Sequence, residues 1–344
     1  MVMEAAALPI VFPGKRQVKE GTILLAVDIG GTKTDLALYL VNNQSFTLLE
    51  ESVYESQKWS SFAALAKDFI DTVAVAPHRI SIAAAGPVRH GKVKLTNLNW
   101  VLDVTQLQKE LEVEEVLLLN DLEAKAYGLA MLGEGELIKI YPGNTDNEGN
   151  GAIIAPGTGL GEGGLFWDGK TFHPFATEGG HTDFAPRTEM DIELLRYLQQ
   201  QWDHVSWERI ISGMGIFNIY QFLRDVKGRV EPDWLHKKIM DGDHAQVIGE
   251  HRQEVPICSE TIELFVRYLA IESSNLALKL KATGGLFIGG GIPPKLWDES
   301  AKSIFLEHFF QVGRMRPLIE AVPVYLILNS RTAVLGAAYY GSYK

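Results

Sequence analysis

Apolar residues run almost unbroken over 23–29, the pattern of a strand buried on both faces. Gly30-Gly31-Thr32 interrupts them, and apolar character resumes over 34–41. Two runs joined this way predict a hairpin closed by a glycine turn. Residues 46–54 read as a third strand. The period then changes: Phe62, Leu65, Phe69 and Val73 share one helical face, with Ser60 or Ser61 placed to cap it. A fourth strand is expected over 79–85, closed by Gly86-Pro87, then a short helix over 104–111. Residues 115–119 form an apolar strand that stops at Asn120-Asp121, and a helix over 123–132 follows. Three strands and then alternating helix and strand is the order of an α/β sheet with parallel crossovers. Ligands in such sheets collect at the carboxyl ends of the strands.

A second series opens after the polar stretch 144–150. Residues 151–155 make a strand that runs into Pro156-Gly157-Thr158-Gly159-Leu160-Gly161, and another strand follows. Strand, glycine turn with a threonine, strand thus occurs twice, at 23–41 and 151–167. A duplicated phosphate-cradling domain would show such an echo. Beyond Pro186 the pattern is largely helical, over 190–201, 205–212, 215–224 and a long stretch 256–281. In the last, Cys258, Ile262, Phe265, Leu269, Leu276 and Leu280 keep helical spacing, and Pro256 suits the first turn. Gly284-Gly285 ends it, and 286–288 is a short strand broken by Gly289-Gly290-Gly291. A last strand is expected over 322–328 and a last helix over 332–340.

Length adds a domain count. The chain has 344 residues, and at about 100–200 residues per domain that predicts two domains or three. Hydrophobic residues make up 46% and mean hydropathy is +0.01, enough to bury a sizeable core. Against 43 acidic residues stand 32 basic ones, for a net charge of −11. That argues against a general nucleic-acid binder, although backbone N–H groups can still hold a phosphate locally. The single cysteine, Cys258, excludes a disulfide framework and a multi-cysteine zinc site, and reads as a small buried apolar residue. No run approaches the roughly 18 apolar residues of a membrane helix, so no membrane partner is expected. In residues 1–21 the apolar patch precedes Lys15, Arg16 and Lys19, and Glu4 and Glu20 are present. That is unlike a secretory or transit leader. The segment reads as an extension and the chain as cytoplasmic.

Candidate chemistry gathers at the glycine turns. Asp28 ends an apolar strand, where a buried carboxylate needs a partner or a cation. It can hold Mg²⁺ directly or through water, since Mg²⁺ keeps several waters and takes few carboxylates. Adjacent glycines let backbone amides approach an oxyanion, and the Thr32 hydroxyl adds a donor. An ordinary hairpin turn with a solvated Lys33 is the plainer reading of that stretch alone. The turn around Gly157, Thr158 and Gly159 lacks the Gly-Lys-Ser/Thr end of a P-loop and the glycine spacing of a dinucleotide turn. Two such hairpins facing one another would hold a nucleoside triphosphate from both sides. Asp121, where a strand gives way to a helix, is either a cap or an acid that accepts a proton from an attacking hydroxyl. Glu178, His181 and Asp183 surround a glycine pair with no third nearby His or Cys for zinc, a set suited to a polyhydroxylated ligand. Glu208 alone reads as an ordinary helical acid.

Taken together, DIGGTKTDLAL (28–38), LTNLNW (95–100), LLNDLEA (118–124), GTGLGEG (157–163), EGGHTDFAP (178–186), WERIISGMG (207–215) and GGLFIGGGIPPK (284–295) resemble bacterial-type glucokinases, in the same order. That family lies in the sugar-kinase and actin superfamily, and the likeness runs from about residue 22 to the end. It implies a two-domain actin-like (ribonuclease H-like) α/β fold with an interdomain cleft. The small domain would be 22–131 plus 322–344, and the large one 132–321. It implies ATP-dependent phosphorylation of glucose at the 6-hydroxyl, with Mg²⁺, and a homodimer. Asp121 would be the base, with Asn97, Asn120, Glu178, His181 and Glu208 on the remaining hydroxyls. Asp28, Gly30, Gly31, Thr32 and Lys33 would face the phosphates together with Gly157, Thr158 and Gly159, while Gly289, Gly290 and Gly291 would approach the adenosine. The chain departs from many relatives at Lys33 and Asp35. Cys258 alone sets it apart from the related ROK kinases with their cysteine-rich zinc motif. A kinase of another hexose, or a non-catalytic sugar sensor, are the rival readings.

Overall fold

The computed structural model describes residues 2–3, 18–42, 45–95, 98–133, 135–143 and 148–343. The expected N-terminal extension is therefore described only at its two ends. Two compact units divide the chain: Met1–Leu137, Asp168–Ala176 and Asn329–Lys344 form one, Ile138–Trp167 and Thr177–Leu328 the other.

In the first unit the strands are β1 (Val2–Met3), β2 (Thr22–Ile29), β3 (Lys33–Asn42), β4 (Ser45–Glu55), β5 (Arg79–Ala84) and β8 (Glu115–Asn120), in the sheet order β1-β4-β3-β2-β5-β8. β2 and β3 are the expected antiparallel hairpin, and β5 and β8 add in parallel. α1 (Phe62–Val73) begins at Ser61, whose side chain accepts from Ala64 N, and lays Phe62, Leu65 and Phe69 on the sheet. The small hairpin β6 (Lys92–Lys94) and β7 (Val101–Asp103) leads through α2 (Val104–Glu110) to β8, and α3 (Asp121–Gly128) follows directly. The register sets Ile29 beside Ala84 and Ala84 beside Asn120. Parallel pairing therefore delivers the glycine turn after β2 and the start of α3 to one edge of one sheet.

The second unit repeats this plan. β9 (Leu137–Tyr141), β10 (Gly151–Pro156) and β11 (Leu160–Trp167) precede β12 (Phe172–Thr177), most of which lies in the Asp168–Ala176 segment. Then come α4 (Glu189–Leu198), α5 (Gly213–Asp225), α6 (Asp233–Asp241), α7 (His244–Glu250) and α8 (Pro256–Leu280), before β13 (Gly285–Ile288), α9 (Pro293–Leu296), α10 (Glu299–Phe309), α11 (Arg316–Glu320) and β14 (Val324–Ile327). Within this unit the sheet runs β11-β10-β13-β14-β9. Again an antiparallel hairpin comes first and two parallel strands add to it. The duplicated turn in the sequence is thus a duplicated sheet plan. α8 carries the core, with Cys258, Phe265, Tyr268 and Leu269 buried along it. α12 (Thr332–Tyr343) belongs to the first unit, where it packs on α3 and β2.

Three expectations change. The helix expected over 123–132 begins at Asp121 and ends at Gly128, with a 3₁₀ turn Leu129–Met131 after it. The helix expected over 205–212 is only a 3₁₀ turn, Trp207–Arg209. Its backbone is tied instead to the loop before α4, where Trp207 N donates to Thr182 O (3.0 Å) and Phe184 N to Val205 O (2.9 Å). The last strand pairs in parallel with β13, so residues 322–328 stay with the second unit and the chain returns at Asn329.

Candidate active site

The first unit contributes a glycine turn and a helix start. Gly30 N donates to Lys33 O (2.9 Å), and a Cβ on Gly30 would lie 2.9 Å from that same oxygen, so the turn closes too tightly for any other residue. Buried Ser56 pins it from β4's end: its Oγ donates to Gly30 O (2.8 Å) and its N to Thr32 O (2.9 Å). Sequence reading missed Ser56, because a contact made 24 residues away leaves no local pattern. Thr32 and Lys33 are exposed at the tip.

At the carboxyl end of β8 the two neighbouring polar residues divide their work. Asn120 is the cap of α3, its Oδ1 accepting from Leu122 N (2.8 Å) and Glu123 N (3.4 Å), while Nδ2 donates to Gly86 O (3.3 Å). Asp121 is the first helical residue and does no capping. Its partly buried carboxylate faces Lys125 Nζ at 3.5 Å, one turn along. Burial pushes the Asp28 carboxyl up to about 6; Lys125 opposes this and Asp121 and Asp35 add to it. Burial works against the Lys125 charge as well, yet Asp121 and Asp28 together hold the ammonium above the usual lysine range. Asp28, Asp121 and Lys125 thus form one charge cluster of two acids and one cation. Lys125 is a second residue that sequence reading missed, although its i,i+4 spacing from Asp121 was a usable signal.

In the second unit Gly157 N donates to Gly159 O (2.8 Å), closing the second turn. Glu208 stands against it: Oε2 accepts from Leu160 N (3.0 Å), and a Cβ on Gly159 would lie 2.5 Å from that oxygen. Glu178 precedes the 3₁₀ turn Gly179–His181 and His181 ends it, and both are exposed. A Cβ on Gly180 would fall 2.1 Å from Leu160 O, so this loop and Glu208 are seated on the same residue of β11. Gly290, with φ +85°, packs so closely on Pro156 O that a Cβ would lie 2.1 Å away, and only Gly291 of that triplet faces open space.

Beside Gly157, Thr158 and Gly291 lies a cavity of about 820 Å³, also lined by Phe217, His244 and Lys295. The His244 ring rests on Phe217 with centroids 4.0 Å apart. Sequence reading supplied the glycine rim and the helix that carries Phe217, but not α7, where His244 stands. Asn97 lies outside the described residues.

No group of three or more His, Cys, Asp or Glu able to cage a metal occurs among the described residues. The Asp28 carboxyl, raised by burial and by Asp121 and Asp35 against the pull of Lys125, fits an ion that keeps its waters and takes phosphate oxygens, as Mg²⁺ does. Among the described residues no helix is long and apolar enough to cross a membrane.

The family described as Glucokinase matches over residues 25–343. A glucokinase of Trichormus variabilis is 40% identical over 338 residues, covering 92% of this chain and 98% of that protein. Among solved structures, the glucokinase of an Antarctic psychrotroph aligns at a TM-score of 0.76 with 30% identity, covering 93% of this chain and 98% of that one. The glucokinase of Balamuthia mandrillaris in complex with glucose aligns at 0.79 with 20% identity, over 93% of each chain, a likeness of fold.

Proposed function

The chain belongs to the glucokinase family, and from that premise we infer that it transfers the γ-phosphoryl group of ATP to the 6-hydroxyl of glucose. The observation that carries the reading is the division of labour after β8. Because Asn120 caps α3, the Asp121 carboxylate is left to chemistry, with Lys125 as its counter-charge.

In this reading Asp121 accepts the proton of O6 as that oxygen attacks the γ-phosphorus, and ADP departs with the electron pair of the broken bond. Glu178, His181 and Glu208 take other hydroxyls, and Asn97 joins them; Asn120 serves the sugar chiefly by orienting α3. The Gly157–Gly159 turn and the Gly30–Thr32 turn, with Lys33, offer donors to the phosphates, and Gly291 opens the cavity toward the adenosine. Gly289 and Gly290 act behind it, in the packing of β13's end against β10. Mg²⁺ beside Asp28 would neutralise charge on the phosphate oxygens. The repeated sheet plan supports the actin-like reading of the architecture.

The test is a coupled assay of glucose against other hexoses, with ATP, ADP and polyphosphate as donors, joined to Glu178→Gln. Replacing a charge-assisted acceptor by a weaker one should raise KM for glucose about tenfold while KM for ATP stays within about twofold. A rise in the ATP constant alone would remove Glu178 from the sugar site.

A further inference from the structure

Glu162 lies midway along β11 with its side chain almost wholly buried, and neither carboxyl oxygen has a hydrogen-bond partner among the described residues. Buried carboxylates are ordinarily paired or bonded, and an orphan is costly when charged. Its surroundings explain the orphan. Glu272 on α8 takes the nearby cation, accepting from Lys279 Nζ at 3.0 Å and from Asn275 Nδ2 at 2.8 Å. The Lys279 hydrogen bond goes to Glu272, and neither oxygen of Glu162 receives one.

The same residue supports the loop that carries Glu178 and His181. Glu162 O accepts from Thr177 Oγ1 (2.9 Å), which in turn accepts from Gly179 N (3.2 Å). Above it, a Cβ on Gly179 would fall 2.0 Å from Glu162 Oε2, so glycine is what lets the loop rest on the carboxyl group. We propose that Glu162 is a positioning residue for glucose: its buried carboxyl group is the seat beneath Gly179 that sets Glu178 and His181 in place. This rests on the assignment of Glu178 and His181 to the sugar made above.

A seat of this kind works only while uncharged. Burial, and then the Glu272 charge, push the Glu162 carboxyl up to about 8 against the pull of Lys279. The charges that act on it are Glu272 and Lys279 from α8, with Arg187 acting on Glu272 in turn; Glu178 and His181 lie exposed on the loop. β10 presents Ile154 opposite, and β11 carries no other charge. Below pH 8 the neutral acid fills the site. Above it the carboxylate forms beside Glu272, and the loop is expected to lift from β11. Stability follows the same sign: a carboxyl whose proton is favoured by folding contributes fully below its ordinary value of 4.5, and that contribution declines as pH rises until it is gone by about 8.

The experiment measures kcat and both KM values of the full chain at pH 7 and pH 9, for wild type, Glu162→Ala and Glu162→Gln. If only the neutral form binds well, wild-type KM for glucose rises roughly tenfold between the two pH values, with KM for ATP flat. Glu162→Ala raises KM for glucose about fivefold at pH 7 with kcat little changed. Glu162→Gln, which keeps shape without ionising, rescues that loss and abolishes the alkaline rise. A flat wild-type profile overturns the proposal even if both variants fail to fold, and so does a Gln variant that follows the wild-type rise. Glu178→Gln, run alongside, separates the two readings. An unchanged glucose KM there removes the sugar assignment itself, whereas a raised one with flat Glu162 profiles removes only the seat.

Discussion

Asn120 and Asp121 are adjacent, both polar and both at a helix start, yet they answer to different physics. An amide whose oxygen already accepts from two backbone N–H groups is a structural element. Replacing Asn120 by Ala should cost about 0.5–2 kcal/mol of stability, the usual loss of a helix cap. Asp121→Asn keeps the cap and removes only the proton acceptor, so the melting temperature should hold while turnover falls about 10²–10⁴-fold and glucose still binds. Calorimetry beside steady-state kinetics separates the two, and a Asp121→Asn enzyme with near-normal turnover would return that residue to structure. The composition of the motif could suggest both roles. Only the hydrogen bonds assign them.

At the scale of elements, the helix that begins with Asp121 is held by its neighbour rather than by its own propensity. α3 spans only 8 residues, too short to be stable alone. α12 crosses it at glycines: a Cβ on Gly336 would lie 1.7 Å from Ala124 O, and one on Gly128 would lie 2.0 Å from Thr332 O. Backbone oxygens cannot move aside like a side-chain tip. Gly336→Ala should therefore push the helices apart, costing at least about 1–3 kcal/mol, and should lower kcat by displacing Asp121; a variant with unaltered melting temperature and kcat would contradict it. Legibility differed between elements for similar reasons. β2, β3, β10 and β13 were readable because apolar runs met glycine breaks, and α1 because one face repeats cleanly. The segment holding Glu208 misled, since its spacing is helical while its hydrogen bonds run to Thr182 and Phe184, more than twenty residues back. α6, α7 and α10 went unassigned because their exposed faces dilute the apolar period. With α7 went the cavity wall that carries His244. Glu162 was invisible for a further reason: burial and the loss of Lys279 to Glu272 are properties of the fold, and no motif records them.

At the scale of the whole molecule, two units with the same sheet plan carry different burdens. The first holds the charge cluster of Asp28, Asp121 and Lys125; the second holds the cavity with its glycine rim. A chain of net charge −11 must bind an anionic nucleotide against its own field, so the contacts have to be local. In the proposed reading the second unit would provide them in the Gly157–Gly159 turn and in Lys295 and Arg252 at the cavity wall, with Phe217 and His244 as surface for a base. A ligand that binds only the folded state stabilises the segments it touches, by about 2.7 kcal/mol at a hundredfold excess over Kd. With a non-hydrolysable ATP analogue, amide exchange should therefore slow at 213–217, 242–252 and 291–296. Residues 62–73 of α1, packed on the first sheet, should exchange as before. Glucose alone should leave the cavity segments unchanged and slow exchange around 178–182 instead. Were the analogue to protect α1 while leaving 242–252 untouched, the cavity would not be the nucleotide site, and the division of labour between the two sheets would have to be redrawn.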